Sequence, residues 1–283
     1  MHGITLTLEG ALDMRYRTFA RGLKRIVAGG TLAAVALMTL AAPAAANHSW
    51  KNYHWARTAN PFTIQLGDNV TSAWDGQLGV ASPNYLKAAS DDWTLSTVLD
   101  TIIVPGGANP KICRPTSGRV EVCNSTYGKT GWLGIAQIWV SGDHITQGVV
   151  KLNDTYFNTA TYNKPEWRLM VMCQEIGHTF GLDHQDEGFD NTNLGTCMDY
   201  TSNPSGPPSN ESPNQHDYDQ LEAIYLHRDN STTVGAVTAS SSGAASSASE
   251  FGRLVSSSSD GKVQTFVRQL RGGNLEVTFV IWA

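Results

Sequence analysis

The chain is poor in charge. Of its 283 residues 20 are Lys or Arg and 25 are Asp or Glu, which leaves a formal net charge of −5 at pH 7. Nucleic acids and anionic membranes are held through basic patches, so this balance gives no support to either partner. No Gly-rich phosphate loop is present, and no Gly-x-Ser-x-Gly, so nucleotide chemistry and an α/β-hydrolase nucleophile lack a candidate. Cysteine is scarce as well: there are four, and none falls in a C-x-x-C pair, which argues against a Cys-type zinc site.

What is present is the composition of an ordinary globular protein, 41% hydrophobic and 16% charged, with length for one large domain or two small ones. Residues 1–46 read as a secretory signal peptide. Arg15, Arg17, Arg21, Lys24 and Arg25 precede an Ala/Val/Leu-rich run that ends in Ala44-Ala45-Ala46, with cleavage expected after Ala46. An uncleaved anchor is the alternative, since roughly 20 apolar residues can span a bilayer. Cleavage implies a secreted, extracellular protein without membrane attachment, in a compartment where four cysteines read as two disulfides. Cys113 and Cys123 bracket one short loop; Cys173 and Cys197 are then left to pair.

The mature chain opens on an aromatic-rich lead-in, His48, Trp50, Tyr53, His54 and Trp55. Alternation predicts strands at Pro61–Leu66, Leu99–Val104, Gly134–Val140 and Gly148–Asn153. A helix is expected from Pro83 to Trp93, with Leu86, Ala89 and Trp93 on one face. His144, between the third and fourth strands, is either a solvent-facing loop residue or a ligand of a second ion. Pro165-Glu166-Trp167 leads into a further helix, and His216–Leu226 forms a closing one, with Tyr218, Leu221, Ile224 and Tyr225 at helical spacing. A first domain of residues 47–228 is followed by a Ser/Ala/Gly/Thr-rich stretch, 229–250, that reads as a flexible linker. Residues 251–283 read as a small β-meander, marginal by itself.

The chemistry is concentrated in Cys173-Gln174-Glu175-Ile176-Gly177-His178-Thr179-Phe180-Gly181-Leu182-Asp183-His184, followed by Met198-Asp199-Tyr200. On a helix, positions 174 and 178 share a face one turn apart, with Glu175 beside it. Gly181 suits the end of that helix, where a positive φ reverses the chain and lets His184 approach from the other side. A metal at this junction would see both imidazoles.

Written as x-E-x-x-H-x-x-G-x-x-H with a following Met-x-Tyr, the stretch resembles the zinc signature of the metzincin metallopeptidases; the closing helix resembles their matrixin branch. The resemblance spans roughly residues 50 to 228 and is specific from Cys173 to Tyr200. It implies an α+β domain with a twisted, mostly parallel sheet, two long helices, an active-site helix and a Met-turn. The activity implied is that of a zinc endopeptidase, a monomer acting on peptide or protein substrates, with Zn²⁺ as cofactor. His178 and His184 would be metal ligands, Glu175 the general base on a zinc-activated water, and Met198 an apolar floor. Tyr200 would ligate zinc or stabilise the tetrahedral intermediate. Substrate would add as an extended strand near Ile135 to Val140. The chain departs from the family at Gln174, where the first histidine belongs. Gln174 would ligate through its amide oxygen, or Tyr200, Asp186 or Glu187 would substitute. Failing both, the scaffold would carry no catalytic metal, as a secreted binding protein.

Overall fold

The computed structural model describes residues 48–76, 84–235, 238–239 and 243–283. The signal-like segment, Pro83 and part of the expected linker lie outside the described residues. The elements in order are β1 (His54–Trp55), β2 (Phe62–Asn69), α1 (Ser72–Asp75), α2 (Tyr85–Trp93), β3 (Leu99–Pro105), β4 (Thr116–Ser117), β5 (Val120–Ser125), β6 (Trp132–Ser141) and β7 (His144–Asn153). There follow α3 (Asp154–Phe157), α4 (Pro165–His178), α5 (Gln215–Ile224), β8 (Thr238–Ala239), β9 (Arg253–Ser257), β10 (Val263–Gln269) and β11 (Leu275–Trp282).

This is an α+β fold around one mixed sheet in the order β3-β2-β5-β7-β6-β11-β10-β9, with β1 beside β7. The pairs β2–β3, β2–β5, β5–β7 and β1–β7 are parallel. From β7 onward, β6, β11, β10 and β9 pair antiparallel. The expectation of a mostly parallel sheet therefore holds for one half only. The hairpin β6–β7 turns on Gly142-Asp143, and Gly142 sits at φ +63°, the left-handed conformation that two-residue hairpin turns require.

Local signals placed the helices. Asn84 caps α2 by accepting from the Lys87 amide at 2.7 Å, and Asn214 with Asp217 forms a capping box on α5. α4 begins at Pro165 in its first turn and runs 14 residues. α2 and α4 pack together; the Trp93 indole donates to the Cys173 carbonyl at 3.1 Å. The main core includes Trp55, Trp93, Leu133, Met170, Ile176, Phe180 and Phe279, all fully buried.

Three features differ from sequence expectation. β5, in the middle of the sheet, was not anticipated because Glu121 interrupts its apolar pattern. Its buried carboxylate accepts from Arg119 Nε at 2.7 Å, Thr116 Oγ1 at 2.5 Å and Asn69 Nδ2 at 2.7 Å, which is what makes a charge tolerable there. Part of the expected linker is fastened to the sheet: Lys151 Nζ donates to Ala244 O at 2.7 Å and Ser246 Oγ at 2.8 Å, and the Trp132 indole donates to Ser246 O at 2.8 Å.

The third concerns the edge expected to receive peptide. β11 pairs along β6 from Leu275 opposite Val140 to Val280 opposite Ile135, so that edge is occupied by the chain itself. An open strand with unpaired amides and an apolar face invites pairing. The sequence Leu-Glu-Val-Thr-Phe-Val-Ile-Trp supplies it, with Val277, Phe279 and Ile281 turned into the main core. Both expected disulfides, Cys113–Cys123 and Cys173–Cys197, are formed. Among the described residues no helix is long and apolar enough to cross a membrane.

Candidate metal centre

α4 brings Gln174, Glu175 and His178 into the interior, all with no exposed surface. Beyond its end Gly181 adopts φ +96°, and a Cβ there would collide with the Tyr53 carbonyl oxygen, so the reversal needs glycine. The lead-in then clamps the returning strand. Trp50 N donates to Gly181 O at 3.0 Å, and Asp183 N to His48 O at 2.6 Å.

This return sets His184 Nε2 3.1 Å from His178 Nε2. Each ring's other nitrogen is held. His178 Nδ1 lies 2.9 Å from Leu182 O and must donate to that carbonyl, leaving Nε2 as a lone pair. His184 Nδ1 faces Asp183 Oδ1 at 3.6 Å and Glu187 Oε1 at 3.7 Å. Ligands 2.0–2.1 Å from a tetrahedral zinc lie roughly 3.3 Å apart, so the imidazole pair is spaced like one edge of such a site. Burial, with the neighbouring His184 charge, pushes His178 down to about 3. Burial also opposes charge on His184, but Asp183 and Glu187 outweigh it and lift that ring to about 9.

Two further groups at the junction lack partners. Neither carboxylate oxygen of Glu175 has a hydrogen bond, and burial raises its pKa far above the ordinary carboxylate range against the pull of His184. A Cβ on Gly134 of β6 would meet Glu175 Oε1 at 2.5 Å, so glycine there leaves the space the carboxylate fills. Gln174 Nε2 donates to Cys197 O at 2.7 Å, while its Oε1 has no partner. The disulfide at Cys173 and Cys197 ties this part of α4 to the turn carrying Met198. Met198 Sδ lies against Gly177, where an added Cβ would meet it at 2.6 Å.

Compared with protein-family models and with curated proteins, the chain matches none. Its functional reading therefore rests on the geometry of these side chains.

Not every expected residue joins the pair. The Tyr200 hydroxyl donates to Trp282 O of β11 at 3.3 Å, and its ring stacks on Phe189; it makes no hydrogen bond with either imidazole. Asp186 Oδ1 is taken by Gly188 N and Asn191 Nδ2, both at 2.6 Å. Glu187 stands behind His184, on its Nδ1 side, where a carboxylate orients an imidazole and strengthens it as a ligand. The residue that sequence reasoning missed is Phe279. Its ring lies parallel to His178, 4.4 Å between centroids and 3° between planes, and Trp50 meets Phe279 edge-on at 5.9 Å. The alternation Val277, Phe279, Ile281 carried the signal of an inward face.

The two imidazoles meet with their orientations fixed, and on the same helix as His178 the Gln174 Oε1 and both Glu175 oxygens are buried without a hydrogen bond, a state that costs about 1–3 kcal/mol per group.

Proposed function

We propose that the chain is a secreted zinc endopeptidase of metzincin type, closest to the matrixin branch. His178 and His184 bind the metal through Nε2, Gln174 through Oε1, and Glu175 is the general base. The observation that carries this reading is the 3.1 Å approach of the two Nε2 atoms, with Gln174 Oε1 and the Glu175 carboxylate, on the same helix as His178, buried and unpartnered. A bound zinc would supply Lewis acidity and bring the pKa of a water to about 7.

The chain's own residues do the rest. Gln174 is aimed by its bond to Cys197 O, and His178 by Leu182 O. Glu175, with no competing donor, accepts a proton and returns it to the leaving amine. β11 holds the β6 edge that an extended peptide would join, and Phe279 covers His178, so this is a latent arrangement. Moving β11 would open the edge and also release Tyr200 from Trp282 O, letting its hydroxyl serve the reaction. The same cover favours a second reading, a metzincin-like secreted binding protein without turnover, in which β11 never leaves.

Cleavage of a quenched fluorescent casein by the zinc-loaded chain separates them, with wild type, Phe279→Ala and Glu175→Gln compared at equal zinc content. The protease reading expects Phe279→Ala to exceed wild type and Glu175→Gln to be inert while folded. Zinc-loaded, folded wild type and Phe279→Ala that both leave casein intact would establish the binding reading.

A further inference from the structure

A second convergence of imidazoles lies outside the motif: His54 at the start of β1, His144 at the start of β7, and His227 with Asp229 after α5. His54 and His144 are register partners in the short parallel ladder. After α5 the chain turns back under β1, with Asp229 N donating to Arg57 O at 2.9 Å. Arg57 then fixes the Asp229 carboxylate, its backbone amide at 3.2 Å and its Nη1 at 2.8 Å both on Oδ2. Oδ1 is left facing three rings: His144 Nε2 at 3.2 Å, His227 Nε2 at 3.5 Å and His54 Nε2 at 3.6 Å.

The His54 ring is aimed, not merely near. His54 Nδ1 lies 2.6 Å from Asn52 O and donates to it, so its Nε2 is a lone pair, and that atom is 3.1 Å from His227 Nε2. His54, His144 and Asp229 present ligand atoms within 4.8 Å of one another, and His227 adds a fourth that touches two of them. Contacts of 3.5 and 3.6 Å are long for hydrogen bonds. Four of the six separations among these atoms, 3.1, 3.2, 3.5 and 3.6 Å, nevertheless lie near the roughly 3.3 Å edge of a tetrahedron with ligands at 2.0–2.1 Å.

We propose that His54, His144 and His227, through Nε2, and Asp229, through Oδ1, form a second metal site that takes zinc. Three imidazoles and one carboxylate are the donors that suit this ion, and four protein ligands make a closed, structural site with no position left for substrate. Asn52 O and the Arg57 guanidinium are its outer partners, fixing one ring and the carboxylate. The ion would join three segments far apart in the chain: the lead-in that clamps residues 181–183, the β6–β7 hairpin, and the exit of α5. The site shares no residue with the His178/His184 centre and does not depend on the protease reading.

Zinc titration of the metal-stripped full chain against a competing chelator tests it, with thermal melts with and without zinc. The variants are the double substitution His144→Ala, His227→Ala, made with and without His178→Ala. Both substituted histidines of the pair are partly open to solvent, His144 at 37% and His227 at 54% of the side chain, so their loss leaves the fold in place. The double variant is expected to bind one zinc fewer than its parent and to lose the corresponding rise in melting temperature. The affinity lost should exceed the roughly 10–100-fold that removal of an outer partner costs. Should His178→Ala fail to fold, the comparison of the double variant with wild type gives the same difference. Equal zinc content and equal thermal shift in the double variant and its parent would overturn the site.

Discussion

Replacing Phe279 by Ala probes the cover over the centre most directly. Its side chain is fully buried, lies flat on His178 and receives the edge of Trp50. Deleting a buried phenylalanine ring costs about 3–5 kcal/mol, of which about 0.5–1.5 kcal/mol per aromatic pair comes from ring geometry beyond area. That is a large part of the 5–15 kcal/mol typical of a folded domain, so the variant should fold but melt early. Urea titration followed by tryptophan fluorescence should show a lower midpoint with little change in slope, because the surface exposed on unfolding is nearly the same. Leu254→Ala on β9, at a side chain 44% exposed, is the control and should stay within about 0.5 kcal/mol of wild type. A second readout follows the ring itself: on the proposed reading, with the phenyl group gone, zinc loaded at His178 should leave for an external chelator faster than in wild type. A Phe279→Ala chain no less stable than the Leu254→Ala control, with unchanged zinc release, would mean that Phe279 does not seal the centre.

Serine at both Cys173 and Cys197 opens a crosslink between positions 24 residues apart and should cost about 3.5 kcal/mol in the chain-entropy account. The pair Cys113 and Cys123, 10 apart, should cost about 0.7 kcal/mol less on the same account; denaturant midpoints in the opposite order would contradict it. Burial pushes the Lys151 ammonium down to about 7, against the pull of Glu250 and Glu276. From there up to the ordinary lysine value the unfolded chain binds the extra proton, so stability attributable to Lys151 should rise with pH between about 7 and 10. Below about 7 both states carry the charge and that slope vanishes. Lys151→Met should be less stable throughout, because Ala244 O and Ser246 Oγ lose their donor, and should lack the rise. Parallel stability-versus-pH curves for the two chains would refute the burial argument.

Short-range physics was legible in the residues themselves. Helical period placed Gln174 and His178 on one face, Gly181 announced the reversal it makes at φ +96°, and the spacing of Tyr218, Leu221, Ile224 and Tyr225 marked α5. The disulfides followed from counting, once one short loop had claimed two of the four cysteines. β5 was hidden because Glu121 reads as solvent-facing until Arg119, Thr116 and Asn69 are seen to enclose it. The destination of residues 251–283 was hidden for a different reason. Their alternation says that they form strands, but many edges could accept them, and the pairing with β6 is decided by complementarity of two faces more than a hundred residues apart.

The sequence alone thus determined what each local segment can do: the spacing of Glu175, His178 and His184, the turn at Gly181, the caps, the strand-forming runs. Tertiary structure alone decided who meets whom. It put the two Nε2 atoms 3.1 Å apart, laid Phe279 on His178, tied Tyr200 to Trp282, and gathered His54, His144, His227 and Asp229 around one point. Helical and turn preferences act over a few residues and are written in each stretch. Contacts between distant segments must repay the entropy of closing long loops, so they depend on the packing of the whole chain and on no single run of it.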